Sequence, residues 1–348
     1  MRAMILKEFR ELRRDKRTVA MLVALPIVLL VIFGYAANFT ISSISTHVVG
    51  PHAEAVGSAL PGLFDVTEVD TSADSQSAQD RVRDNKADVV IDTSTTPPTA
   101  YVDGSNLFVA QTAASAFGRA GNKVQVDIMF NPDLTTSWVM VPALVGLILT
   151  FIGTIITSLG LVRERQAGTL EQLAVMPFRP SDVIVGKIAP YFILAAIDML
   201  LVTVLGMWLF DVPFNGSPFA FVLGGAIFLF VVLGIGVFIS TVSQTQGQAI
   251  QTAILFLMPQ ILLSGFIFPL QAMPIAIRWI GYCLPLTYFV QISQGIMLRG
   301  ASIASLWLPF VVLAGMAIVV FTGAVLRFRR DLAPRQHKER PAPERAVP

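Results

Sequence analysis

Six long apolar runs punctuate this chain, at residues 19–37, 138–162, 188–210, 219–241, 249–268 and 306–326. At about 1.5 Å of rise per residue, roughly 20 apolar residues cross a hydrocarbon core about 30 Å thick, so each run predicts a spanning helix. The first run exceeds the apolar core of about 7–15 residues expected of a cleaved signal peptide, and it reads as a retained anchor. Between the first two runs the pattern changes. Residues 39–137 are polar, acidic and rich in turns, with strand-like segments at 64–69, 87–91, 99–102 and 124–129 and helical spacing at 75–85 and 107–119. Such a mixture predicts a small α/β domain inserted between the first and second spans.

Charge orients these elements. Residues 1–17 set Met1, Ile5, Phe9 and Leu12 at helical spacing against a basic face, which suits an amphipathic helix lying on an anionic leaflet. The other end, 327–348, is basic and proline-rich and predicts a disordered tail. With Arg163, Arg165, Arg179 and Lys187 these blocks fall on one side of the membrane, so both termini are expected in the cytoplasm and the acid-rich domain outside it. A seventh crossing at 286–298 would be too short and would carry the basic tail outward. Residues 269–300, interrupted by Pro269, Pro274 and Pro285, are expected instead to form outer re-entrant helices. The predicted class is an α-helical polytopic membrane protein with six transmembrane helices and an α/β extracytoplasmic domain, covering 1–17, 18–38, 39–137, 138–326 and 327–348 in turn.

Composition supports that class, since 54% hydrophobic residues and a mean hydropathy of +0.68 exclude a water-soluble globule. The single cysteine, Cys283, excludes an intrachain disulfide, and His47, His52 and His337 have no ligand-like spacing, so no metal site is expected. Nothing in the chain calls for nucleic acid.

The stretch 163–187, RERQAGTLEQLAVMPFRPSDVIVGK, is charged and capped between two apolar runs. Thr169 and Gln172 form a capping box, Leu170 and Leu173 share one helical face, and Pro177 ends the helix in an apolar tip of Met176, Pro177 and Phe178. Ser181 is expected to cap the helix that follows. An exposed amphipathic helix with an apolar tip suits a groove on a partner protein. The segment does not bind nucleotide on this reading. Gly186 and Lys187 lack the upstream glycine of a phosphate loop, where Ser181 stands, and Ile188 replaces its serine or threonine. No other enzyme signature is present. Asp198 is the one carboxylate in a span centre, placed to line a path or to hydrogen-bond between helices. The remaining spans suit apolar or amphiphilic cargo better than a multiply charged ion.

Three segments, RERQAGTLEQLAVMPFRPSDVIVGKIAPY at 163–191, SGFIFPLQAMP at 264–274 and LPLTYFVQISQGIMLRG at 284–300, resemble the hallmark segments of the membrane subunit of ABC-2-type ATP-binding-cassette exporters. The resemblance implies a permease of a bacterial cytoplasmic membrane that exports a drug, lipid or similar amphiphile. It also implies two partners: a separate ATPase that binds ATP and magnesium, and a second permease subunit in a homodimer or heterodimer. By the same resemblance, Arg163, Glu164, Arg165, Gly168, Thr169, Leu170, Glu171, Gln172, Leu173, Met176, Pro177 and Phe178 form the coupling element that docks on the ATPase. Ser264, Gly265, Phe268, Pro269, Pro285 and Tyr288 fall in the outer helices. Residues 39–63 depart from the family pattern, because the expected first strand of the outer domain has no clear counterpart there. A second function compatible with this architecture is mechanotransmission, in which the ATPase moves the outer domain without cargo crossing.

Overall fold

The computed structural model describes residues 41, 43–119, 124–167 and 180–332. The predicted amphipathic helix at 1–17, the predicted first span at 18–38, residues 168–179 of the predicted coupling stretch 163–187 and most of the basic tail lie outside the described residues.

The N-terminal part is a five-stranded sheet in the order β2-β1-β3-β4-β5, built from β1 (Ile44–Val49), β2 (Phe64–Asp70), β3 (Val89–Asp92), β4 (Thr99–Asp103) and β5 (Gln125–Met129). Only β3 and β4 pair antiparallel; β1 runs parallel to both β2 and β3, and β4 parallel to β5. Parallel pairs need crossovers, and α1 (Ala53–Ala59), α2 (Ser75–Arg83) and α3 (Leu107–Arg119) supply them. The first strand is therefore present, contrary to the sequence expectation, and lies inside the sheet. Its sequence ISTHVV hides it, because a strand covered on both faces shows no alternation. Ile44 and Val48 face a core closed by α1 and α3, whereas Val49 joins Val90 and Tyr101 on the opposite face against Ala78 and Val82 of α2.

Phe130 and Leu134, both at positive φ (68° and 49°), turn the chain from β5 into the membrane part. The buried Asn131 fixes this joint: its Oδ1 accepts from the Thr135 N–H at 2.8 Å, and its Nδ2 donates to the Thr135 carbonyl at 3.2 Å. Among the described residues the helices that follow are α4 (Thr136–Gln166), α5 (Pro180–Phe210), α6 (Pro218–Val242), α7 (Gln246–Leu263), α8 (Ile275–Tyr282), α9 (Pro285–Met297) and α10 (Trp307–Leu332). Because α5 already includes Pro180, Ser181 lies inside that helix and does not cap it from outside.

Among the described residues, four helices are long and apolar enough to cross a membrane, at Thr136–Gln166, Ile188–Phe210, Pro218–Val242 and Trp307–Arg327. The α8–α9 pair, bent by 78°, makes a fifth if it counts as one broken span. The expected span at 249–268 corresponds to α7, which stops at Leu263 after 18 residues and is not among the four. Three glutamines in its first two turns, Gln246, Gln248 and Gln251, dilute its apolar character.

Helices α4 and α6 pack closely because small residues line their contact. A Cβ on Gly153 would come within 2.8 Å of the Val232 side chain, and one on Gly236 within 2.8 Å of Thr157 and 3.1 Å of the Thr154 carbonyl. Toward the sheet end, Phe228 of α6 stacks on Phe289 of α9, their ring centroids 4.5 Å apart.

Candidate functional site

Between α7 and α10 the chain makes an elbow. Ser264 ends α7, Gly265 takes a positive φ of 87°, and Pro269 leads into a single 3-10 turn at Leu270–Ala272 before α8 and α9. Each joint carries a polar bond that satisfies a backbone group water would otherwise serve. Thr287 and Tyr288, in the first turn of α9, donate their hydroxyls to the last carbonyls of α8, at Gly281 and Tyr282, both at 2.6 Å. Gln260 of α7 accepts from the Leu286 N–H at 3.2 Å, capping α9, whose first residue is Pro285. Arg278 donates to the carbonyls of Gln271 and Met273 at 2.8 and 3.0 Å and closes the loop before α8. Gln294 of α9 donates to the Val139 carbonyl of α4 at 3.0 Å.

The elbow is keyed into the sheet domain at two points. Ala272 is buried in the domain's own apolar core, beside β1, β3 and α3. Arg299, just after α9, reaches across to donate from Nη1 to Asn85 Oδ1 at 2.9 Å and Asp103 Oδ2 at 3.2 Å. Both charged side chains are almost wholly buried, with 6% and 2% exposure, so this ion pair is shielded from water. Gly295, one turn earlier, leaves the room: a Cβ there would lie 3.1 Å from Arg299 Nη2.

A partly open cavity of about 140 Å³ lies at this junction. Its polar wall includes Asn85, Asp88, Asp103, Ser105, Ser264 and Arg299, and its apolar wall Phe108, Val139, Met140, Phe266, Leu270 and Val290. Burial, followed by repulsion from Asp103, pushes the Asp88 carboxyl up to about 6, although a Ser45 backbone hydrogen bond and Arg299 draw it back. Ser264 Oγ and Arg299 Nε are shielded from solvent and have no hydrogen-bond partner among the described residues.

The predicted outer residues Ser264, Gly265, Phe268, Pro269, Pro285 and Tyr288 thus meet in one elbow, with Phe268 buried in the small core that Leu262, Leu263 and Leu284 also share. Sequence reasoning missed the polar cluster of Asn85, Asp88, Asp103 and Arg299. Of the predicted coupling residues, Arg163, Glu164 and Arg165 occupy the last turn of α4. Arg165 Nη1 donates to the carbonyls of Ser240 and Ser243 at 2.9 and 3.2 Å, placing a cation at the negative end of α6. Gln246 of α7 also donates to Gln166 at 3.1 Å. The ends of α4, α6 and α7 are thereby tied together where the chain leaves α4. Gly168, Thr169, Leu170, Glu171, Gln172, Leu173, Met176, Pro177 and Phe178 lie outside the described residues. Asp198 belongs to neither group. It sits midway along α5, half-buried, with Oδ2 lacking a hydrogen-bond partner among the described residues.

Comparison with known proteins covers nearly the whole chain. A family model described as ABC-2 family transporter protein matches residues 16–326. The chain is 28% identical over 360 residues to the probable multidrug ABC transporter permease YbhR of Escherichia coli strain K12, covering 94% of this chain and 98% of that protein. It is 30% identical over 338 residues to the probable multidrug ABC transporter permease YbhS of the same strain, covering 86% and 88%. The inner membrane transport permease YhhJ, also from that strain, is 33% identical over 211 residues, or 60% of this chain and 56% of that protein.

Proposed function

The chain belongs to the ABC-2 transporter family, and from that premise we propose that it is the membrane-spanning permease subunit of an ATP-driven exporter of hydrophobic or amphiphilic molecules. The observation that carries the reading is the match along almost the full length to relatives named as multidrug ABC transporter permeases. On this reading a separate ATPase subunit binds ATP and magnesium, and the segment 168–180, within the stretch 163–187, docks on it as a coupling helix. A second permease subunit completes the path.

The geometry supports a route for the force. Helix α4 has 31 residues, about 46 Å at 1.5 Å per residue, so it outreaches a hydrocarbon core of about 30 Å. One end carries Arg163 and Arg165 beside the coupling segment, and the other continues through Asn131 into β5. A displacement at the ATPase would reach the sheet domain along this rod, and the α6 and α7 ends bound to Arg165 and Gln166 would move with it. Six crossings are proposed: 18–38, α4, α5, α6, α7 and α10, with α8 and α9 re-entrant. At 18 residues α7 is roughly 27 Å long, close to the thickness it must cover. Both termini and the coupling segment then face the cytoplasm and the sheet domain lies outside, in keeping with the basic residues at 1–17 and in the tail. Asp198 faces the path or a neighbouring helix in the complex.

Co-expression with a candidate ABC ATPase subunit tests the proposal. The two should purify as a stable complex in detergent, and ATP hydrolysis by the complex should rise on adding an amphiphilic substrate. A chain that purifies without the ATPase, and transports in a proton or sodium gradient alone, would overturn it.

A further inference from the structure

We propose that the cavity between the sheet domain and the elbow is a subsite for a small protonated amine, with Asp88 as its counter-ion. Where that subsite lies along the export path rests on the reading above; that it binds does not.

Size limits the occupant first. A cavity of about 140 Å³ resembles an engineered apolar cavity of about 150 Å³ that admits benzene, whereas a drug-sized ligand needs roughly 300–1,000 Å³. The site therefore holds a head group of about one ring and not a whole cargo molecule. Charge limits it next. Three charged groups line the cavity, Asp88 at the start of β3, Asp103 at the end of β4 and Arg299 after α9. Asp103 is committed to Arg299, which leaves Asp88 as the unmatched charge. β1 contributes only the Ser45 backbone to it. The net charge of the lining is then one negative unit, and a monocation balances it.

Two further observations show a built site and not a bare acidic patch. Ser264, only 1% exposed, lines the cavity with its hydroxyl unpartnered among the described residues. Buried polar atoms without partners are uncommon, and this hydroxyl oxygen can accept a hydrogen bond from an ammonium. Opposite it, Phe108, Phe266, Leu270 and Val290 offer an apolar wall for a ring. An arylalkylamine matches both walls: its ammonium meets Asp88 and its ring lies against the apolar side chains.

The arrangement also makes occupancy depend on acidity. Because Asp88 titrates near 6, the carboxylate is present above that value and is lost as pH falls through it. The amine should bind at pH 7.5 and leave at pH 5.

The probe is 2-phenylethylamine, titrated into the purified full-length chain in lipid nanodiscs without ATPase or nucleotide and followed by ligand-observed NMR. Binding is expected with a dissociation constant on the order of millimolar, as suits so small a ligand. It should weaken about tenfold from pH 7.5 to pH 5, and Asp88→Asn should weaken it at least tenfold at pH 7.5. Phenylacetate, of the same size and opposite charge, should not compete. The pH titration uses the unaltered chain, so it stands whether or not the variant folds. Equal binding by Asp88→Asn, binding that ignores pH, or preference for phenylacetate would each overturn the proposal. Because the readout needs no ATPase, failed transport would leave the subsite standing, and failed binding would leave the exporter reading intact.

Discussion

Replacing Arg299 with alanine should destabilise the chain by about 3–5 kcal/mol, the usual cost of removing one partner from a buried ion pair. The guanidinium and the Asp103 carboxylate are 6% and 2% exposed, so water replaces the lost cation poorly. Three groups lose by the change. Asp103 keeps a buried charge without compensation, Asn85 Oδ1 loses its donor, and Asp88 gains an unopposed negative neighbour. The consequence is mechanical as well as energetic, because Arg299, with the α4 joint and the burial of Ala272, fastens the elbow to the sheet domain. Thermal unfolding should show a lower midpoint, and limited proteolysis should cut the joint near 130–135 sooner. A pair of apolar replacements, Arg299→Met with Asp103→Leu, should recover most of the loss, since no charge is then stranded. Normal melting and proteolysis of Arg299→Ala would show that the ion pair does not fasten the domain.

Changing Met176, Pro177 and Phe178 together to Ser, Gly and Ser should abolish capture of the ATPase. Burying a Met or Phe side chain contributes about 1.5–3 kcal/mol, so losing two such anchors weakens docking by roughly a hundredfold or more. The altered segment lies in sequence between α4 and α5, outside both helices, so the membrane part should keep its melting temperature. Co-purification and substrate-stimulated hydrolysis should fall together. If both persist, the apolar tip is not the docking element and Leu170 and Leu173 become the alternative contact.

Much of the membrane part was legible because lipid imposes a simple rule on sequence. The run at 219–241 became α6, Pro218–Val242, and the run at 138–162 lies within α4, Thr136–Gln166. Helix α3 follows 107–119 as its spacing predicts. Strand β1 was not legible. Ser45, Thr46 and His47 look like loop residues, and only pairing with β2 and β3 on both sides explains their burial; the one local hint is the β-branched set Ile44, Thr46, Val48 and Val49. The polar cluster escaped for another reason. Asn85, Asp88 and Asp103 lie about two hundred residues from Arg299, and no periodicity reports a meeting over that distance. A lone arginine directly after the apolar helix α9 was the available signal, since such a cation needs a partner. The capping role of Arg165 was likewise invisible, because its acceptors sit at the far end of another helix.

The most direct measurement of the central claim is transport itself. Inverted vesicles carrying the chain and its ATPase should accumulate a fluorescent amphiphile when ATP and magnesium are supplied, and vesicles carrying either protein alone should not. Accumulation that needs both proteins and ATP is the predicted result. ATP-dependent movement of the sheet domain with no accumulation, across a broad set of amphiphiles, would contradict it and make the chain a transmitter of force and not an exporter.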